Sequence, residues 1–346
     1  MSIYKKIRIG AIRQETGDCK TFFLETADPA LLQYQPGQFL TFVFSAKNGE
    51  ERRSYSISSS PALGEPLAVT IKRVENGEYS RRLLDYAKVG DELTVIGPSG
   101  FFTLPEDPHP YKRLFFIAAG SGITPVYSLI KTALHTRPQQ ELVLIYSNRS
   151  HESAIFYDGL RQLEQQFAAR FKIEWLFSAS RNLERARLSK WLLEILLKEH
   201  ARAPLQETLF YLCGPFDFMR MAGIELLEDG AHPPQIRKEY FSNLKPEIKA
   251  EPADKEKHLV QLLLPDGMRT IETRYPLTIL QAARKAGIVL PYSCEAGRCG
   301  SCAATCTKGQ VWMSYNEVLL DEEIAKGRVL TCVGYPVGGD VTIEYR

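Results

Sequence analysis

The chain of 346 residues has no run of 18 consecutive apolar residues, and its first segment, MSIYKKIRIG, lacks the apolar core of a signal peptide. We therefore expect neither membrane insertion nor export. It also lacks a charge imbalance, since 43 Lys and Arg stand against 41 Asp and Glu for a formal net charge of +2. This balance gives no reason to expect nucleic acid or an anionic membrane as a partner. Internal repeats and low-complexity tracts are absent as well.

Cysteine is scarce, and four of the seven cysteines lie near the C-terminus as a C-x4-C-x2-C…C run: Cys294, Cys299, Cys302 and Cys332. This is the plant-type spacing for a [2Fe–2S] cluster held by four thiolates. A structural zinc site is the alternative, but zinc sites usually space their ligands as two C-x2-4-C pairs. The run has one such pair and two single cysteines, so it predicts the iron–sulfur cluster and one-electron chemistry.

The remaining cysteines are Cys19, Cys213 and Cys306, an odd set with no framework spacing. We expect them to be free thiols in a reducing compartment, which predicts a cytoplasmic protein.

The length predicts two or three domains. Residues 1–107 contain many short apolar runs separated by turn signals, which is typical of a small antiparallel β-barrel. Residues 108–241 alternate strands and helices, which predicts an α/β domain with a parallel sheet covered on both faces. Residues 242–257 carry eight charges and two prolines and are predicted to be a partly extended, mobile linker. Residues 258–346 open with a hairpin signal and a short helix before the cluster loop.

Two motifs in the barrel suit a flavin nucleotide. Arg53-Ser54-Tyr55-Ser56 offers a cation, an aromatic ring and a hydroxyl on one strand, although an ordinary half-buried strand is the plain alternative. Gly77-Glu78-Tyr79-Ser80 opens the barrel's only helical stretch, and a helix N-terminus binds phosphate well. The alternative there is simple capping by Ser80.

Two further motifs end strands of the α/β domain. Gly120-Ser121-Gly122-Ile123-Thr124-Pro125 follows an apolar strand and opens a helix, so its backbone could approach a pyrophosphate while Thr124 caps the helix and Pro125 occupies its first turn. Cys213-Gly214-Pro215 ends another strand at the carboxyl edge, where open α/β sheets bind ligands. A lone cysteine there is more often a packing residue.

In this order, RSYS, GEYS, GSGITP and CGP resemble the ferredoxin–NADP reductase superfamily. With the C-terminal cysteine run, the chain is similar to bacterial oxygenase reductases of the phenylacetyl-CoA epoxidase type. The resemblance implies an FAD-binding β-barrel, an NAD(P)-binding α/β domain and an α+β ferredoxin domain of the β-grasp fold.

The resemblance also implies roles for single residues. Arg53 and Ser54 would bind FAD with its pyrophosphate, Tyr55 would pack on the isoalloxazine, and Ser56 would hydrogen-bond flavin N5. Gly77 and Ser80 would hold the FAD phosphates, and the Ile71-Lys72 backbone would follow the flavin ring.

On the nicotinamide side, the resemblance implies that Gly120, Ser121, Gly122, Thr124 and Pro125 bind the coenzyme pyrophosphate. Cys213, followed by Gly214 and Pro215, would lie near the nicotinamide, and Glu239 with Phe241 would line the flavin side of the cleft. Ser56, Cys213 and Glu239 are the candidate catalytic residues. Arg298, between cluster ligands, is bulkier than the small residue of photosynthetic ferredoxins, so partner choice does not carry over from those proteins.

The coenzyme is predicted to be NADPH rather than NADH. Ser180 and Arg181 follow the third strand of the α/β domain, where NADP-dependent relatives hold the 2′-phosphate, and Arg149 follows the second. Arginine binds phosphate with a planar, permanently charged fork. The alternative is that both arginines are solvated loop residues. We expect FAD rather than FMN, with GEYS and the GPSGFF segment serving the second phosphate and the adenosine.

These features together predict a reductase that passes electrons from NAD(P)H through FAD and the cluster to a separate redox protein, an oxygenase, hydroxylase or desaturase. A cytochrome, a soluble ferredoxin or a quinone is the alternative acceptor. A redox-sensing iron–sulfur subunit is the alternative from another class. Sequence predicts neither the acceptor nor the oligomeric state.

Overall fold

A computed structural model of the chain describes residues 3–47, 49–200, 204–241 and 250–345. By internal contacts it forms two compact units. One comprises residues 6–98 and 102–240, and the other comprises residues from 241 onward together with 3–5 and 99–101. The domain bounds given above stay a prediction.

The first sheet is built from six strands in the order β4-β3-β6-β1-β2-β5. These are β1 (Tyr4–Thr16), β2 (Cys19–Glu25), β3 (Phe39–Ala46), β4 (Gly49–Ser56), β5 (Ala68–Lys72) and β6 (Glu92–Ser99). The pairs β1/β2, β2/β5 and β3/β4 are antiparallel. The Ser58 N–H donates to Ala68 O at 2.9 Å, which brings the end of β4 against β5 and closes the sheet. One helix, α1 (Glu78–Tyr86), follows β5, and the predicted antiparallel barrel is confirmed.

The second sheet is fully parallel, in the order β11-β10-β7-β8-β9. Its strands are β7 (Arg113–Ala119), β8 (Glu141–Asn148), β9 (Phe171–Phe177), β10 (Thr208–Cys213) and β11 (Ile236–Glu239). Its helices are α2 (Ile123–Thr136), α3 (Tyr157–Gln166), α4 (Lys190–Glu199) and α5 (Phe216–Glu228). Apolar side chains of α2 and α3 join one core, and those of α4 and α5 join another. The sheet is therefore covered on both faces, as predicted.

The C-terminal unit holds a mixed five-stranded sheet in the order β13-β12-β16-β14-β15. Its elements are β12 (His258–Leu264), β13 (Gly267–Thr273), α6 (Ile279–Lys285), β14 (Ala303–Met313), α7 (Asp321–Ala325), β15 (Arg328–Leu330) and β16 (Gly334–Glu344). β12 and β13 form the predicted hairpin, and β12 runs parallel to β16. The predicted capping box at α6 is present, with Gln281 N–H donating to Thr278 Oγ1 at 3.2 Å. This arrangement confirms the predicted α+β class.

Half of the predicted linker, residues 242–249, lies outside the described residues. Residues 250–257 contain neither helix nor strand, and the Asp254 carboxylate accepts the N–H groups of Glu256 and Gly338. Across the described ranges, no helix has the length and apolar character needed to cross a membrane.

Candidate redox centres

A cation lies beside an uncapped helix start in the barrel. The Arg53 guanidinium lies 4.9 Å from the centre of the Tyr79 ring, which stacks on Phe44 at 4.4 Å. Tyr79 is in the first turn of α1, and the N-cap residue Gly77 contributes no side-chain hydrogen bond. The N–H groups of this turn and the guanidinium therefore converge on one side, which suits a phosphate group.

Ser80 does not cap this helix, so the capping alternative is wrong. It lies three residues into the helix, where its hydroxyl accepts the Val74 N–H at 3.1 Å and donates to Gly77 O at 3.2 Å. A Cβ added at Gly77 would lie 2.7 Å from Val74 Cβ and 2.8 Å from Ser80 Oγ. The turn before α1 is thus too tight for a side chain at Gly77, and Ser80 fixes its shape. Direct contact of Ser80 with a flavin phosphate stays a prediction.

The other flavin candidates lie on β4 and β5. The Tyr55 ring contacts Phe42 edge-on at 5.1 Å, and burial raises the pKa of its hydroxyl above the usual range. The Ser54 hydroxyl lies 3.1 Å from that of Thr41, while Ser56 is buried. Their flavin contacts, like those of Ile71 and Lys72, stay predictions.

Two glycine-containing turns meet at the carboxyl edge of the parallel sheet. β7 and β10 are neighbours, with Ala118 opposite Cys213. Gly120 has a φ of +53°, and a Cβ added at Gly122 would lie 2.0 Å from the Cys213 carbonyl oxygen. Only glycine fits at residue 122, because any side chain would collide with backbone of the neighbouring strand end.

Thr124 does not cap α2, which corrects the expectation above. The helix begins at Ile123 with Gly122 as N-cap, and the Thr124 hydroxyl donates to Ser121 O at 2.9 Å instead of accepting an N–H. Pro125 lies in the first turn, as expected. The Gly122 N-cap contributes no side-chain hydrogen bond, which leaves the N–H groups of the first turn available to an anion.

Cys213 and Glu239 are brought together by the pairing of β10 with β11. Both side chains are buried. Burial and the neighbouring Glu239 carboxylate raise the pKa of the Cys213 thiol well above its usual value, so it is neutral and a poor nucleophile. Gly214 packs on Ala119, whose Cβ would lie 3.0 Å from an added Cβ. Phe241 is largely exposed, and its place beside this pair stays a prediction.

The candidate 2′-phosphate residues lie at adjoining strand ends. The Ala179 N–H donates to Arg149 O at 2.9 Å, which joins the segment after β9 to the segment after β8. Ser180 follows, and its hydroxyl accepts the Asn182 N–H at 3.1 Å. Arg149 and Arg181 are exposed.

The four cysteines of the C-terminal run converge, each at most 7% exposed. Three lie in the loop between α6 and β14, and the fourth follows β15. Thiols of Cys299 and Cys332 hydrogen-bond the Cys294 sulfur and hold its pKa well below the usual range. Contact with the Cys294 sulfur, together with burial, raises the pKa of Cys299 and Cys332. Four thiolates this close cannot all ionise without a cation among them.

The spacing of these sulfurs favours two metal ions over one. A tetrahedral zinc site with 2.3 Å bonds would put all four sulfurs about 3.8 Å apart. Within the described part of the chain, no three cysteine sulfurs lie within 4.8 Å of one another. In addition, the buried Ser301 hydroxyl, between Cys299 and Cys302, has no hydrogen-bond partner among the described residues. The donor set and this hydroxyl fit a binuclear cluster with its own acceptor atoms.

Glycines shape the cluster loop as the sequence predicts. Gly297 and Gly300 have φ values of +70° and +75°. An added Cβ would lie 2.8 Å from Tyr315 O at the first and 2.5 Å from the Phe101 ring at the second. The Phe101 contact corrects the expectation for GPSGFF, because this ring packs on the cluster loop. Phe102 is buried against Tyr211, with ring centres 5.2 Å apart.

Sequence reasoning missed two neighbours of the cluster loop. Phe101 is remote in sequence from the cysteines and carries no motif. Glu317, the ion-pair partner of Arg298, is 19 residues away. The only signal was the presence of a long cation at residue 298, which needs a partner when buried.

Three family models match the chain in order. They are the oxidoreductase FAD-binding domain at residues 6–104, the oxidoreductase NAD-binding domain at residues 116–223, and the 2Fe-2S iron-sulfur cluster binding domain at residues 264–337.

Two curated relatives match along nearly the whole chain. The ferredoxin reductase component of 3-ketosteroid-9-alpha-monooxygenase from Mycobacterium tuberculosis is 33% identical over 359 residues, covering 98% of this chain and 95% of the relative. One of the polypeptides of 1,2-phenylacetyl-CoA epoxidase from Escherichia coli is 30% identical over 355 residues, covering 100% and 98%.

Among solved structures, phthalate dioxygenase reductase is similar in fold, with a TM-score of 0.59 and 23% identity over 99% of this chain and 98% of that one. Its description is a modular structure for electron transfer from pyridine nucleotides to [2Fe–2S]. The matched domains assign FAD, a nicotinamide nucleotide and a [2Fe–2S] cluster as the cofactors. The chain belongs to the ferredoxin–NADP reductase family, as an oxidoreductase with a C-terminal [2Fe–2S] domain.

Proposed function

We propose that this reductase takes electrons from NADPH and delivers them singly to the oxygenase component of a monooxygenase or dioxygenase system. The observation that carries the proposal is the buried four-cysteine centre, in one chain with a flavin cradle and a nucleotide-binding turn. When bound, the flavin accepts a hydride and releases electrons one at a time, and the cluster carries single electrons. Relatives that are reductase components of oxygenase systems support this acceptor class.

The barrel residues bind and orient the flavin. Arg53 and the first turn of α1 would hold the pyrophosphate between them. Tyr55 would pack on the ring system, and Ser56, at the end of β4, would donate to flavin N5. The neutral Ser56 hydroxyl can donate this bond without adding charge beside the ring.

A groove beside this cradle suits the adenosine of FAD. It has a volume of about 450 Å³ and is lined by Phe44, Arg82 and Tyr86, among others. Phe44 also stacks on Tyr79, so the groove adjoins the proposed phosphate site. Aromatic and guanidinium faces stack on a purine base. FMN has no adenosine and would leave this groove unused.

The nicotinamide half would bind at the edge where β7, β10 and β11 end. The glycine turn and the first turn of α2 would bind the pyrophosphate with backbone N–H groups. The buried neutral Cys213 would give the nicotinamide ring an apolar, uncharged contact. Glu239, beside Cys213, would accept an N–H of the carboxamide and orient the ring, with Phe241 covering the flavin side.

The preference for NADPH rests on Arg149, Ser180 and Arg181. The backbone link between the two segments holds both arginines at one sheet edge, where each can reach a 2′-phosphate. The Ser180 hydroxyl can donate a further bond. Three cysteines outside the cluster, Cys19, Cys213 and Cys306, are free thiols, which supports a cytoplasmic location.

The test is anaerobic reduction by NADPH followed by mixing with candidate acceptors. An oxygenase component encoded beside this gene should be reduced faster than cytochrome c or a soluble ferredoxin. Faster reduction of either of those proteins would reject the oxygenase as acceptor. Failure of NADPH to bleach the flavin would reject the reductase function itself.

A further inference from the structure

Arg298 is a charged side chain buried in the cluster loop. It lies between the ligands Cys294 and Cys299 and is 8% exposed. Its Nε donates to Glu317 Oε2 at 2.7 Å, and its Nη2 donates to the Tyr315 hydroxyl at 3.3 Å. A buried guanidinium is stable only when such partners satisfy it, so the loop and the segment after β14 depend on each other.

The partner segment is itself well ordered. The Tyr315 hydroxyl donates to the other carboxylate oxygen of Glu317, which fixes the carboxylate at both oxygens. Asn316 Oδ1 accepts the N–H groups of Val318 at 3.1 Å and Leu319 at 2.9 Å. Segment 315–319 is thus a rigid support for Arg298.

The same segment also touches the loop through its backbone. The Glu317 N–H donates to Gly297 O at 3.0 Å. At Gly297 the chain approaches so closely that an added Cβ would lie 2.8 Å from Tyr315 O. The side-chain and backbone contacts fall on consecutive residues, Gly297 and Arg298, so they hold the peptide that joins them.

That peptide is directed at a cluster ligand. The backbone N–H of Arg298 hydrogen-bonds the Cys294 sulfur, as does the N–H of Ala296 at 3.4 Å. N–H bonds to ligand sulfurs stabilise the more negative, reduced form of an iron–sulfur cluster and so raise its potential.

We propose that Arg298, Glu317 and Tyr315 form a clamp that holds the Arg298 N–H on the Cys294 sulfur, and that this clamp raises the reduction potential of the cluster and slows its loss of iron. The three are positioning residues, since they act on the ligand through the loop backbone. The inference rests on the assignment of a [2Fe–2S] cluster and is independent of which protein accepts the electrons.

A direct charge effect predicts a different pattern from the clamp. Removing the Arg298 charge lowers the potential in either case. Removing the Glu317 charge would raise the potential by electrostatics alone, because a negative group near the cluster disfavours reduction. Loss of the clamp lowers it instead. The sign of the shift in Glu317→Ala therefore separates the two causes.

The experiment is a redox titration of the holoprotein against a reference dye, followed by the EPR signal of the reduced cluster. Arg298→Ala and Glu317→Ala should both shift the one-electron equilibrium toward the oxidised cluster by about tenfold, which corresponds to about 59 mV. Chelator-driven iron release should be about tenfold faster in both, as for other outer partners of metal ligands. Glu272→Ala, which breaks the exposed Lys257–Glu272 pair of the same unit, is the matched control and should change neither quantity.

A higher potential in Glu317→Ala would overturn the clamp in favour of a charge effect. An unchanged potential with faster iron release would overturn it in favour of plain structural support. If Glu317→Ala does not assemble a cluster, Arg298→Lys decides, since it keeps the charge and loses the fork. A lower potential in that variant supports the clamp, and an unchanged one contradicts it. Absence of the EPR signal from the unmodified protein would instead reject the cluster.

Discussion

The cluster loop and the glycine turn after β7 build binding sites in opposite ways. The cluster loop supplies four side-chain sulfurs, and its glycines let the loop fold around them. The glycine turn supplies backbone N–H groups and no ligand side chain, and Gly122 serves close approach to the Cys213 carbonyl. Side-chain ligands leave a fixed spacing in the sequence. A backbone site leaves only small residues, whose purpose depends on which strand lies opposite.

The largest effect is expected from filling the glycine turn. Gly122→Ala puts a Cβ 2.0 Å from the Cys213 carbonyl oxygen, so two strand ends must move apart. We expect a loss of about 3 kcal/mol or more in unfolding free energy, and loss of coenzyme binding. Thermal unfolding and coenzyme titration measure both. Gly17→Ala, where no atom lies within 4 Å of the added Cβ, is the control and should be nearly neutral. Equal effects at the two glycines would contradict the close approach.

A side chain that would recognise the coenzyme beyond that turn comes next. Arg181→Ala should raise KM for NADPH and leave NADH nearly unchanged, with a cost of about 1.5–3 kcal/mol for a lost charge-assisted hydrogen bond. Steady-state kinetics with both coenzymes measures it. Arg187→Ala, an exposed arginine further along the chain, is the control. Equal losses for the two coenzymes would show that Arg181 does not bind the 2′-phosphate.

A smaller effect is expected from filling the cluster loop. Gly300→Ala adds a Cβ at a φ of +75°, 2.5 Å from the Phe101 ring. The expected cost is about 2 kcal/mol, from the left-handed backbone and the collision. Adding Phe101→Ala should return the part due to the collision. Unfolding of the holoprotein measures this coupling, and strictly additive effects of the two changes would contradict the packing of Phe101 on Gly300.

The smallest effect concerns the flavin groove. Tyr86 is 74% exposed at the end of α1. If it stacks on adenine, Tyr86→Ala should weaken FAD binding by about 1 kcal/mol and leave FMN binding unchanged. Flavin titration of the apoprotein gives both affinities, with Val89→Ala as a nearby exposed control. Equal weakening of FAD and FMN would remove the adenosine from this groove.

The sequence predicted the architecture because its strands are long apolar runs and its turns carry strong signals. The Thr278–Gln281 capping box and the β12–β13 hairpin show how far local patterns reach. Thr124 and Ser80 were wrongly expected to cap helices, because a hydroxyl near a helix start can equally donate to a carbonyl of the preceding turn.

Contacts distant in sequence were beyond prediction. Phe101 was expected near the flavin, because nothing local indicates that its ring packs on Gly300, 199 residues further along. The Arg298–Glu317 pair is of the same kind. Tertiary packing decides both, and one sequence gives no measure of it.

Replacement of one cluster ligand tests the central claim, that two separate redox sites work in series in one chain. Cys302→Ser should abolish the iron–sulfur EPR signal and electron delivery to a one-electron protein acceptor. The same variant should retain NADPH-driven reduction of a dye that takes electrons from the flavin. Loss of both activities in a folded protein, or zinc in place of iron in the anaerobically prepared parent, would contradict the account.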